Sequence, residues 1–175
     1  MKTRTRLTAL LTSSLLSAAV LATATAARAD DNDTLKWAEV VGILQAGNLV
    51  GSGTGQVTGG GQPWTTLDGK ASVDLRDNRV KFEVRGLVLA GGNGIGTTGG
   101  INQVKGTLVC DTNGSAGGGN SKLVDTPLVD LDAQGNARFN DVVLIDPVCS
   151  IEADIAFLIR IGAGRWIANG AVLRR

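Results

Sequence analysis

From residue 65 onward, apolar and polar side chains alternate with period two, as in strands that turn one face to a core and one to water. The clearest stretch is ASVDLRDNRVKFEVRG. Ala71, Val73 and Leu75 share a face, and Val80, Phe82 and Val84 join it if Asp77-Asn78 is a two-residue turn. Asp and Asn tolerate the positive φ such turns need. This register sets Leu75 against Val80, Val73 against Phe82 and, on the wet face, Asp74 against Lys81. A second hairpin is expected in LVDLDAQGNARFND, around the three-residue loop Ala133-Gln134-Gly135 with Gly135 left-handed. Leu131 then faces Ala137, Val129 faces Phe139 and Asp130 faces Arg138.

VKGTLVC (104–110) and DVVLIDPVC (141–149) supply two further strand candidates. DIAFLIRI and RWIANGAVL are apolar on both faces around a turn at Gly162-Ala163-Gly164, which places them inside a layered structure rather than at its rim. LKWAEVVGIL also reads as a strand, because the chain next enters NLVGSGTGQVTGGG, where no helix continues. No long amphipathic helix follows the first 29 residues. Seven to nine short strands punctuated by Gly and Asn predict an all-β fold, an antiparallel β-sandwich or, alternatively, a small closed or partly open β-barrel. An outer-membrane barrel would need aromatic girdles, and this chain has three Trp, three Phe and no Tyr.

The first 29 residues carry a different pattern. Lys2, Arg4 and Arg6 precede the apolar, small-residue stretch LTALLTSSLLSAAVLATATA, and Ala27-Arg28-Ala29 offers the small residues a signal peptidase accepts. The stretch is too rich in Ser and Thr to span a hydrocarbon core of about 30 Å. We therefore expect a signal peptide over 1–29, an N-terminal strand and glycine-rich loop over 30–62, and the β-domain core over 63–175, with 30–175 as one domain. The mature chain is expected in the periplasm or outside the cell, without membrane insertion.

Removing the leader changes the charge. It takes away four bases and no acids, so the formal +1 of the full chain becomes −3. No basic stripe of the kind that releases counterions from nucleic acid is evident, and no nucleic-acid partner is expected. Two cysteines remain, Cys110 and Cys149, and in an oxidising compartment they are expected to pair. The chain contains no histidine, which removes Ser-His-Asp triads, Cys-His pairs and histidine zinc sites.

Three patterns could carry chemistry. LAGGNGIGTTGG places Gly94, Gly96 and Gly99 at the G-x-G-x-x-G spacing of dinucleotide-binding loops. Such a loop must open a helix, whereas GINQVKGTLVC alternates like a strand, so the match is assigned to a surface loop and no cofactor is expected. Asp130, Asp132, Gln134, Gly135 and Asp141 fall at EF-hand-like positions and make Asp130, Asp132 and Asp141 candidate metal ligands. An amide at the fifth position, Asp instead of Glu at the twelfth and the absence of flanking helices favour the hairpin. Asp146, Glu152 and Asp154 near the cysteines could form a glycosidase-type carboxylate pair, although solvated strand-edge charges explain them more simply. Among Trp37, Trp64 and Trp166, Trp64 after Pro63 is the candidate for stacking on a sugar ligand.

PWTTLDGKASVDLRDNRVKFEVRGLVLA, VKGTLVC, TPLVDLDAQGNARFNDVVLIDPVC and WIANGAV together resemble a group of small exported bacterial proteins of unknown activity with two cysteines in these contexts. The resemblance spans residues 63–172. It implies an all-β exported domain with one disulfide, and no activity. GKASVDL and VKFEVRGL also resemble CHRD domains, but the histidine pair of that family is missing, so no metal role carries over. The resulting expectation is a non-catalytic exported β-domain with a binding or cell-envelope role and a carbohydrate or envelope partner. The alternative is a carboxylate-based hydrolase acting on extracellular polysaccharide.

Overall fold

The computed structural model describes residues 33–116, 118–151 and 154–175. The expected signal peptide and Glu152 lie outside the described residues. Among the described residues, thirteen strands and one α-helical turn follow in chain order: β1 (Thr34–Gly42), β2 (Leu49–Val50), β3 (Val57–Thr58), β4 (Trp64–Thr65), β5 (Asp68–Asp74), β6 (Arg79–Arg85), β7 (Val88–Leu89), β8 (Gln103–Cys110), β9 (Lys122–Asp125), β10 (Val129–Asp130), β11 (Ala137–Val142), α1 (Val148–Ile151), β12 (Ile155–Ile161) and β13 (Trp166–Arg174), with a 3-10 turn at Gly53–Gly55. Nine of the strands form one antiparallel sheet ordered β10-β8-β12-β13-β1-β5-β6-β11, with β9 also beside β8. The protein is all-β, and this sheet curls into a half-barrel.

Aromatic packing displays the curl. Phe139 stacks on Phe82 at 6.0 Å between ring centroids, Phe82 meets Phe157 at 5.9 Å, and Phe157 meets Trp37 at 5.5 Å. These rings come from β11, β6, β12 and β1, so opposite walls share one filling. Gly106 on β8 makes room for it. A Cβ there would lie 2.9 Å from Phe82 and 3.0 Å from Phe157, closer than carbon atoms pack. Strands β8 and β6 touch through this gap, although four strands separate them in the sheet.

Strand β12 and the first residues of β13, Trp166 to Ala168, are apolar on both faces because both are covered. Phe157 turns into the curl, and Leu158, on the opposite face, is just as fully buried. A second layer formed by residues 43–65 lies over that outer side. The Trp166 indole Nε1 donates to the Asn48 carbonyl at 3.1 Å, the Ile43 amide donates to the Ile167 carbonyl at 2.9 Å, and Gly51 packs beside Val109. This layering is what the sequence implied.

Two hairpins differ from expectation. In the first, Val73 faces Val80, Ala71 faces Phe82 and Asp74 faces Arg79, so the loop spans four residues, Leu75 to Asn78. The Asp74 carboxylate accepts the amides of Arg76 at 3.0 Å and Asp77 at 2.9 Å, which stabilises the longer loop. A slip of two residues preserves the faces, so the buried set is unchanged. Lys81 now lies opposite Ser72 rather than Asp74.

In the second, the turn forms with Gly135 at φ +78°, but its arms diverge. Val129 pairs with Val104 on β8, while Phe139 pairs with Phe82 on β6. The two strands end the sheet at opposite sides, and the Asp132–Asn136 turn bridges the seam of the half-barrel. β11 gains a six-pair ladder on β6, while β10 pairs with β8 over two residues.

Residues 141–149 are not one continuous strand. β11 stops at Val142, and Pro147 starts α1 behind Asp146, whose carboxylate accepts the Val148 amide at 3.0 Å. The turn of helix presents Cys149 to the end of β8. Cys110 and Cys149 form the expected disulfide, with a Cα–Cα distance of 5.0 Å and both residues buried.

Candidate functional site

The glycine motif is a loop packed on a leucine. The Gly96 amide donates to the Leu89 carbonyl at 2.9 Å and the Leu89 amide donates to the Thr97 carbonyl at 2.8 Å. A Cβ on Gly94 or Gly99 would press against the Leu89 side chain. Strand β8 follows, and no helix opens that could aim amides at a phosphate.

The candidate metal ligands are separated. Asp130 and Asp132 line one cleft of about 520 Å³ at the seam, which they share with Arg85 and Arg138. Asp141 sits farther along β11, opposite Val80. The Asp132 carboxylate is occupied by its own turn, accepting the amides of Asn136 at 2.8 Å and Gln134 at 3.0 Å and the Asn136 side-chain amide at 2.9 Å. These bonds hold its carboxyl below the ordinary range. Among the described residues, no group of three or more Asp, Glu, Cys or His is placed to hold a metal ion.

The carboxylates near the disulfide have local partners too. Asp146 caps α1, and Asp154 accepts a hydrogen bond from the Asn113 side chain. Neither lines any of the four main clefts. Trp64 is only 4% exposed, so it presents no open indole face for sugar stacking, and Trp37 and Trp166 are buried as well.

A different cleft gathers convergent charge. On the outer face of β13, β1, β5 and β6, a recess of about 350 Å³ is rimmed by Lys36, Lys70, Lys81 and Arg174. Its lining includes no carboxylate. The ladder explains the convergence: Lys36 pairs with Arg174 on one side and Ser72 on the other, and Ser72 pairs with Lys81. One row therefore crosses four strands as Arg174, Lys36, Ser72, Lys81. Ala38 and Ser72 are short, which leaves the space between the basic side chains open. Lys70 lies 3.8 Å from Glu83 and also feels the Asp68 charge, and Lys70 and Glu83 are both well exposed.

The sequence held half of this signal. Lys36 and Lys81 are visible as outward positions of strands, but the pairing of β1 with the C-terminal strand, which delivers Arg174, is a tertiary event.

A second polar cluster lies on β8, β9 and β12. The Asp125 carboxylate accepts hydrogen bonds from Lys105 at 2.5 Å, Thr107 at 2.6 Å and Arg160 at 3.0 Å. Burial pushes the Asp125 carboxyl up, but the hydrogen bonds from Lys105 and Thr107 and the Arg160 charge outweigh it and hold it below the ordinary range. Thr107 is fully buried, and the Arg160 Nε also donates to the Gly164 carbonyl at 2.8 Å. The hydroxyl is closed to solvent and every charge has a partner, so this cluster ties strands together and has no free group to offer a substrate.

Fold and cleft thus define an all-β half-barrel with a cationic recess on one bare face. The chain matches no family model, and neither the curated proteins nor the solved structures contain a significant match to it.

Proposed function

We propose that this chain is a non-catalytic ligand-binding β-domain that works outside the cytosol, with the recess between Lys36, Lys70, Lys81 and Arg174 as its binding site. The observation that carries this reading is the segregation of charge. Four cations converge on one recess without a lining carboxylate, in a chain of nearly balanced charge. Four like charges close together repel one another, and an anionic ligand relieves that cost. Among the described residues, aromatic and aliphatic side chains pack the interior.

Two features support a location outside the cytosol. The disulfide suits an oxidising compartment, and the leader-like residues 1–29 suit export. Among the described residues, no helix is long and apolar enough to cross a membrane.

Amide-resolved titration of the protein with a panel of neutral and anionic oligosaccharides tests the binding reading. The expected result is saturable shifts confined to β1, β5, β6 and the end of β13, with no new reducing ends after prolonged incubation. Reducing ends that appear with the protein and disappear in Asp146→Asn or Asp154→Asn would replace this reading with a hydrolase.

A further inference from the structure

We infer that the recess takes an acidic polysaccharide, a sugar chain bearing repeated carboxylates, laid across the strands. This rests on the binding reading above and specifies its ligand. Neighbouring strands are about 4.8 Å apart. The row therefore sets Lys36 about 5 Å from Arg174, and Lys81 about 10 Å beyond Lys36, measured along the sheet. A chain with charges at regular intervals can meet all three positions of such a row at once.

The chemistry of the rim fits carboxylates on a flexible polymer. Three of the four cations are lysines, which act as compact point charges and do not demand the planar two-point fit an arginine fork prefers. The row continues with polar groups suited to sugar hydroxyls. Ser72 lies between the lysines, and Asn140 pairs with Lys81 one strand further on. Two residues along the same strand, Arg138 lies opposite Glu83.

The fold also disfavours other polyanions. An acidic peptide would gain most by adding a strand to an open edge. This recess lies between inner strands of the sheet, where the β1–β5 ladder ends at Trp37 and Ala71, and not along either edge strand. A membrane surface is broad and flat, while here the cations surround a hollow about the size of a small-molecule pocket.

The test uses the whole chain lacking residues 1–29. Its binding is measured to polygalacturonate, to fully methyl-esterified polygalacturonate, to poly-glutamate and to phosphatidylglycerol vesicles. Polygalacturonate should bind, with its affinity falling steeply as salt rises from 0.05 to 0.5 M on the order of a screening length of 10 Å shrinking to a few. The esterified polymer, with the same sugars and no charge, should not bind. Lys36→Glu with Lys81→Glu should weaken binding about tenfold or more. Both positions are exposed, so melting of this variant should match the parent and show that the loss is not unfolding.

Equal binding of the esterified polymer, tighter binding of poly-glutamate, or vesicle binding without polygalacturonate binding would each overturn the inference while leaving a binding domain in place. Binding unaffected by the double reversal would overturn the site itself. If none of the four probes bound and the oligosaccharide panel was also silent, the binding reading would fall with it.

Discussion

Strands β12 and β6 belong to one sheet and each sends a phenylalanine into the same interior, yet their other faces meet different surroundings. On β12, IAFLIRI, the outward Leu158 is fully buried, on the side where Gly51 packs beside Val109. On β6, RVKFEVR, the outward positions are Lys81 and Glu83, and water is their neighbour. A strand covered twice loses its period-two signature and becomes continuously apolar, while a strand covered once keeps it. The comparison locates function as well as stability. Where the second layer ends, the outer face of the sheet is free to carry a cationic recess, and the covered half holds that face rigid.

The comparison can be broken most directly at Leu158. Leu158→Ala should cost about 2–5 kcal/mol in chemical denaturation, as fully buried leucines do, because the cavity lies between two layers that cannot both collapse into it. Lys81→Ala, at an outward position of the bare half, should change stability by no more than about 0.5 kcal/mol. Comparable losses at the two sites would mean that the second layer contributes nothing to packing.

The next largest effect should come from the disulfide. Replacing both cysteines by serine should lower stability by about 2–4 kcal/mol, since a sequence separation of 39 residues leaves a long loop to close. Hydrogen exchange should show the loss concentrated in β8, α1 and β12, with the β5–β6 hairpin least affected. A uniform loss of protection would show that the two halves do not unfold separately.

The smallest effect concerns pH. Asp125 titrates lower in the folded chain than in an unfolded one, so the folded state binds fewer protons in mild acid. Its stabilisation is complete above the ordinary carboxyl value of about 3.9 and is lost as pH falls through the lower folded value. Asp68, held low by Arg85, and Asp132, held low by its turn, act in the same direction. The melting temperature should therefore drop below about pH 4. Asp125→Asn should flatten part of that drop and cost less than about 1 kcal/mol at neutral pH, because the carboxylate is partly exposed. An unchanged acid limb in Asp125→Asn would remove the cluster from the pH response.

Alternation alone separated inward from outward residues correctly for Ala71, Val73, Val80, Phe82 and Val84. Continuous apolar runs marked β12 and the start of β13 as buried on both faces, and the count of two cysteines with an expected oxidising compartment paired the thiols. Which strands are neighbours was beyond these patterns. The pattern DLDAQGNARF is locally consistent with a hairpin, and the turn forms, but β11 takes a six-pair ladder on β6 and β10 pairs with β8 instead. Local chemistry fixes a turn, whereas pairing is decided by competition among all strands for edges. The candidate site followed the same division. Asp130, Asp132 and Asp141 are close in sequence, but the divergence leaves Asp130 and Asp132 at the seam and places Asp141 farther along β11. Lys36 and Arg174 stand at opposite ends of the described chain and meet because β1 pairs with β13.

Periodicity, the two thiols and the missing histidine thus determined by themselves an all-β, singly stapled chain without histidine-based chemistry, since each depends only on which residues are present and at what spacing. Curvature decided the rest. Only once the sheet had wrapped around Gly106, and the segment before Trp64 had settled over one half of its back, was there a covered side to hold the structure and an open side on which scattered lysines could converge. Charges far apart along the chain become a site when backbone hydrogen bonds set their strands about 5 Å apart, and no local pattern encodes that distance.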